Sequence, residues 1–178
     1  MFNIKKQPLY DKDAVQPMRD EVVYVGFEEL TTAESVEVAF EQNKDKTVLF
    51  FINSVCGCAA GSARPGVTAA VQHDLIPDKL FTVFAGQDRE SVDYLRTKYL
   101  SRVVPSSPSM FLFKNGELVF ALPRLNIEGF EPEAIASLLN TAFDEFCTKQ
   151  GPSITNEKYE QLVSARVCGS SIPLNSVN

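Results

Sequence analysis

Residues 47–52 read TVLFFI and residues 80–84 read LFTVF, two apolar runs without the polar alternation of a half-exposed strand. Continuous runs of this length mark strands covered on both faces, as in the middle of a sheet layered between helices. Between them lies a small-residue segment that reads as a helix starting near Cys58 and ending before Pro77. Strand, helix and strand in that order form a βαβ unit, and its crossover makes the two strands parallel. An α/β chain with a buried central sheet is therefore expected.

The flanking segments extend the pattern. Val15, Met18, Val22 and Val25 recur at helical spacing, with Pro17 acceptable only in a first turn. Residues 21–27 can alternatively be read as a strand. Thr31 and Glu34 fit a capping box that opens a helix through about Gln42. Residues 90–100 read as a helix with Val92, Leu95 and Leu100 apolar. Two further apolar runs, 109–113 and 118–122, flank Lys114-Asn115-Gly116-Glu117, and Asn-Gly between such runs is a strong hairpin signal. Pro132 favours a first helical turn, and the helix it opens runs to about Cys147, burying Ile135, Leu138, Leu139, Ala142 and Phe146. A compositional break at Gln150-Gly151-Pro152-Ser153 separates residues 1–150 from a polar 151–178 extension, an expected appendage with one possible helix at 156–165.

At 178 residues and 44% hydrophobic content the chain suits one domain with a real core. Its net charge of −6 argues against binding a nucleic-acid backbone, which relies on clustered Lys and Arg. No run approaches the roughly 18 apolar residues of a membrane span, and the N-terminus lacks the pattern of a secretory leader. A cytoplasmic protein with neither nucleic-acid nor membrane partners is expected. Four unevenly spaced cysteines do not make a secreted disulfide framework.

Cys56-Gly57-Cys58 sits where the first apolar strand gives way to the helix. Unpaired N–H groups and partial positive charge at a helix start favour a thiolate over a thiol, so two thiols there point to redox chemistry. Cys56, just before the helix, is the expected exposed nucleophile, and Cys58, in the first turn, the more covered partner. Gly57 is the spacer best able to adopt the backbone angles that closing so short a loop demands. A disulfide across it is expected to be strained and easily reduced.

The element order, with cysteines at a strand–helix junction, resembles the thioredoxin fold, with a central mixed β-sheet of about four strands flanked by helices. The segment from Ser107-Pro108 through Lys114-Asn115-Gly116 is similar to the part of that fold in which a cis-proline faces the active cysteines. More narrowly, Ser54-Val55-Cys56-Gly57-Cys58-Ala59-Ala60-Gly61 with Ala63-Arg64-Pro65-Gly66 resembles the bacilliredoxin family. So do Val15-Gln16-Pro17-Met18-Arg19, Phe84-Ala85-Gly86, Pro105-Ser106-Ser107-Pro108-Ser109 and Pro123-Arg124. The resemblance covers residues 8–147. It implies a thiol–disulfide oxidoreductase that takes bacillithiol from S-bacillithiolated proteins; members have also been described as disulfide isomerases. By position, Cys56 is the attacking cysteine and Cys58 the second, Ser107-Pro108 is the cis peptide, and Gly57, Ser107 and Pro108 are substrate-contacting. Partners are then S-thiolated client proteins and a low-molecular-weight thiol such as bacillithiol, and no cofactor or metal is expected.

Three other readings compete. Cys56 and Cys58 could be small buried hydrophobes, or could join Cys147 and Cys168 in a zinc or iron–sulfur site. A third is a thioredoxin-like adaptor without turnover. Cys147 reads as structural, Cys168 as an idle thiol, His73 as a surface or capping residue and Arg64 as a solvated side chain. One histidine without a nearby carboxylate pattern speaks against hydrolytic triads.

Overall fold

A computed structural model of the chain describes residues 6–166 and 169–175. Helix α1 (Lys12–Tyr24) opens on Asp11, whose carboxylate accepts from the Asp13 and Ala14 N–H groups. Pro17 lies in its second turn, not its first, on the solvent face. The carbonyl it leaves unpaired is thus near water, which is why the helix tolerates it. Strand β1 (Glu28–Glu29) leads to α2 (Ala33–Gln42). The capping box of α2 is one residue later than Thr31 and Glu34 suggest. Thr32 Oγ1 accepts from Ser35 N at 3.0 Å, and Ser35 Oγ accepts from Thr32 N at 3.1 Å.

Strand β2 (Thr47–Asn53) is buried along its whole length. Its side chains alternate between two cores: Leu49 and Phe51 pack with α3 and α5, and Val48, Phe50 and Ile52 pack with α2 and α4. This is the period-two geometry of a strand between helical layers. After β2 come helical turns from Gly57, a wide π-wound segment at Ala59–Ala63, and α3 (Arg64–Ala70). The wide winding ends where Pro65, lacking an N–H, starts the regular helix, so Pro65 sits in a first turn and does not kink a helix interior. Short β3 (Leu75–Ile76) precedes β4 (Lys79–Phe84), which runs parallel to β2. Helix α4 (Arg89–Tyr94) continues into a π-wound turn at Leu95–Tyr99 and buries Val92 and Leu95.

Strands β5 (Ser109–Lys114) and β6 (Glu117–Leu122) form the expected hairpin. Asn115 and Gly116 both have positive φ, 53° and 79°, as a turn matched to the twist of the strands requires. Helix α5 (Pro132–Phe146) buries Ile135, Ala136, Leu139, Ala142 and Phe143. Leu138 is off this stripe and exposed, and Phe143 takes the inward position. Gly66 allows α3 and α5 to touch, since a Cβ there would lie 2.7 Å from Ile135 Cβ.

The main sheet has the order β1-β4-β2-β5-β6, in which β1, β4 and β2 are parallel, β5 runs antiparallel to β2, and β6 runs antiparallel to β5. The protein is thus α/β with a thioredoxin-like mixed sheet between helical layers. Its fifth strand, β1, is a two-residue polar edge without an apolar run to announce it.

Beyond α5, β7 (Lys149–Gln150) pairs with β3, and α6 (Asn156–Tyr159) is a single turn, shorter than the helix expected at 156–165. The segment then returns along α1. Ala165 is buried, Ile172 packs with Val15, Met18, Val55 and Phe84, and Leu174 bridges Tyr10. Among the described residues no helix is long and apolar enough to cross a membrane.

Candidate active site

Asn53 ends β2 at the centre of the sheet, and Ser54 and Val55 carry the chain off the sheet edge to Cys56. The Cys56 carbonyl accepts from Ala59 N at 3.0 Å and Ala60 N at 3.2 Å, which puts this residue at the capping position of the helix. Its sulfur accepts from the Cys58 thiol at 2.6 Å and the Ser54 hydroxyl at 3.2 Å, and faces the Ala59 N–H.

These contacts separate the two thiols. Burial pushes Cys56 up, but the donors from Cys58, Ser54 and Ala59, together with the positive charge of Arg124, outweigh it and hold the group below the ordinary cysteine value. Burial also pushes Cys58 up, and donating to the neighbouring thiolate and sharing its field take it to about 11. Both cysteines are partly exposed. Gly57 offers no side chain to shield either; a Cβ there would meet nothing within 4 Å.

The pair therefore divides in acidity: Cys56 gives up its proton more readily than an ordinary cysteine and Cys58 less readily. In an alkylation-rate titration, Cys56 is expected to ionise below an ordinary cysteine, with its reactivity present above that pKa and lost as pH falls through it. Cys58→Ala removes a donor to the thiolate, so the curve should move to higher pH. An unmoved curve would show that the Cys58 thiol does not support the charge.

Arg124 acquires its role only in three dimensions. It follows β6, pairs with Glu128 and is linked by its backbone N–H to Ser106 Oγ at 3.2 Å. Ser106 O also accepts from Ser109 Oγ and Arg96, so one residue ties the 103–108 loop to the Arg124 turn. The Ser107-Pro108 peptide is cis, Pro108 is buried, and Ser109 pairs with Ile52, which places this segment at the cysteine end of β2. Ser107, Pro108 and Gly57 are thus at the same end of the sheet as the sulfurs.

Arg64 is not solvated. Its side chain is fully buried, paired with equally buried Glu21 at 3.0 Å, and its remaining donors reach Asn53 Oδ1, Ser54 O and Ala165 O. Burial pushes the guanidinium down and the Glu21 carboxyl up, each against the attraction between them. The Cys56 thiolate in turn favours the charged Arg64, so a buried cation underlies the reactive sulfur.

The other candidates are elsewhere. Cys147 is buried beside Thr47, at the opposite end of β2 from Cys56, and burial pushes its thiol up to about 11. A strand length of about 20 Å separates it from the pair, so it cannot share a metal with them. His73 Nε2 meets Asp144 at 2.7 Å on the far side of α3. Cys168 lies outside the described residues.

Residues 10–147 match the family model described as disulphide isomerase. A bacilliredoxin of Shouchella clausii is 52% identical over 140 residues, 79% of this chain and 95% of that protein. The chain belongs to the bacilliredoxin family. A bacilliredoxin of Salinibacter ruber is 47% identical over 80% of the chain and 83% of its own length, and one from Staphylococcus aureus is 42% identical over 80% and 96%. Among solved structures, a reduced thioredoxin of Schistosoma mansoni is similar at 19% identity and a TM-score of 0.44, spanning 66% of this chain and 95% of that one. Bacilliredoxin membership with a thioredoxin-like fold gives the chain a thiol–disulfide redox function.

Proposed function

We propose that this bacilliredoxin-family chain removes bacillithiol, or a similar low-molecular-weight thiol, from S-thiolated client proteins in the cytoplasm. The observation that carries the reading is the division between the sulfurs: the contacts of Cys56 hold it below the ordinary cysteine value and so favour its thiolate, while Cys58 beside it is pushed up to about 11. Only the thiolate attacks a disulfide.

In the first step the Cys56 thiolate attacks the small-thiol sulfur of the client's mixed disulfide. The Cys56–S–S–thiol bond forms, the client disulfide breaks, and the client leaves as a thiolate with no net change in oxidation. In the second, Cys58 loses its proton and displaces the small thiol, closing a Cys56–Cys58 disulfide. Alternatively, a second small thiolate attacks the captured thiol, leaving a symmetrical small disulfide and a reduced Cys56. Val104 and Leu125, 83% and 84% exposed on the two loops that Ser106 joins, are apolar surface next to the site that suits a protein client.

With Cys58→Ala and a bacillithiolated client, intact mass after a non-reducing quench should show one thiol-sized adduct on Cys56. No adduct, with the client still modified, would refute the carrier step. A general disulfide isomerase is the second reading, favoured by the description of the matching family model. It requires reactivation of scrambled protein without adduct formation.

A further inference from the structure

A groove of about 420 Å³ opens beside the cysteine pair, between the helix start and the returning C-terminal segment. Small-molecule sites are typically about 300–1,000 Å³. Gly57, Gly61 and Pro65 form one wall, Pro132 of α5 another, and Ser164 and Arg166 the rim. The first wall is low because glycines recur on one helix face; a Cβ at Gly61 would meet nothing within 4 Å.

The rim is held in place from beneath. Ala165, between its two polar residues, donates its N–H to Glu21 Oε2 and accepts from Arg64, both at 2.9 Å, so the buried ion pair fixes the backbone here. Arg166 itself is exposed and makes no ion pair or side-chain hydrogen bond among the described residues. An unpaired guanidinium over an apolar floor, in a chain of net charge −6, is a built-in preference for a carboxylate, whose two oxygens match its forked donors. Among the described residues no acidic one lines the groove to compete. The rim lies outside the 10–147 span of the family model.

We infer that this groove seats the non-sulfur end of a carboxylate-bearing low-molecular-weight thiol, with Arg166 and the Ser164 hydroxyl on its carboxylate, while its sulfur is exchanged at Cys56. The inference rests on the proposed transfer function and adds to it a seat for the thiol's carboxylate, supplied by the C-terminal segment. The groove reads the thiol being removed; the client is met elsewhere, by the loops around Ser106.

The test uses the full chain and one client cysteine carrying, in separate preparations, bacillithiol, glutathione or 2-mercaptoethanol. The first two bear carboxylates; the third is neutral. Arg166→Gln should reduce kcat/KM about tenfold for the carboxylate-bearing thiols, the scale of one charge-assisted hydrogen bond, and leave 2-mercaptoethanol release unchanged. Arg166→Lys should retain part of the preference, and Gly61→Phe, which fills the groove, should abolish it. Equal losses on all three thiols would assign Arg166 to the client or to the fold, and no loss on any would leave the groove without this ligand; either result overturns the inference. If wild-type protein releases none of the three, the transfer function fails, an outcome distinct from a missing preference.

Discussion

Replacing Cys56 by Ser is expected to lower the rate of thiol transfer by on the order of 10⁴-fold, the scale of losing a catalytic nucleophile. The loss should not be recovered at high pH, because a serine hydroxyl in the same environment neither ionises in the working range nor forms a disulfide. Cys58→Ala should behave differently. Its first half-reaction continues at high pH, where Cys56 ionises without the lost donor, and the adduct then persists until a second thiol arrives. Cys147→Ala should leave transfer unchanged, since that thiol is buried at the other end of β2 and pushed up to about 11. Stopped-flow release of thiol from a client, read across pH for the three variants, makes the comparison. Transfer surviving in Cys56→Ser but lost in Cys58→Ala would reverse the roles of the two cysteines.

Features set by local chemistry were legible in the sequence. The apolar run 47–52 reads as a doubly covered strand, one residue short of β2, and Asn115-Gly116 reads as a tight turn between strands, so the sheet and its hairpin could be read from residue patterns. The cysteines were legible because a strand–helix junction is recognisable locally. What escaped was set by distant partners. Arg64 reads as a surface arginine until Glu21, Asn53 and Ala165 converge on it from three separate stretches of chain. Arg124 belongs to a recognisable block, but its field at Cys56 depends on the Ser106 contact, which a linear pattern does not encode. Leu138 was misplaced for a milder reason: neighbouring leucines at 138 and 139 both fit a helical stripe, and packing against α3 selected only Leu139.

The largest expected effect on stability is at that hidden arginine. Arg64→Met leaves Glu21 buried without its cation, and breaking a buried pair from one side costs about 3–5 kcal/mol. The Glu21 carboxylate would keep only the Ala165 N–H, for its Oε1 already has no partner. The Glu21→Leu/Arg64→Met double variant should recover much of that loss in urea unfolding, because apolar replacements of a buried pair are often neutral or better. Function should not recover with it. Without Arg64, Ser54 O and Ala165 O lose their guanidinium donor, and the cation that favours the Cys56 thiolate is missing. The double variant should therefore fold yet titrate Cys56 at higher pH than wild type, react more slowly at neutral pH and be cut sooner by protease after Gln150. Arg64 is in this sense a positioning residue, acting on the sulfur through the Ser54 loop and its charge. A double variant with restored stability and an unshifted Cys56 titration would reduce Arg64 to a structural role and detach the C-terminal segment from the chemistry.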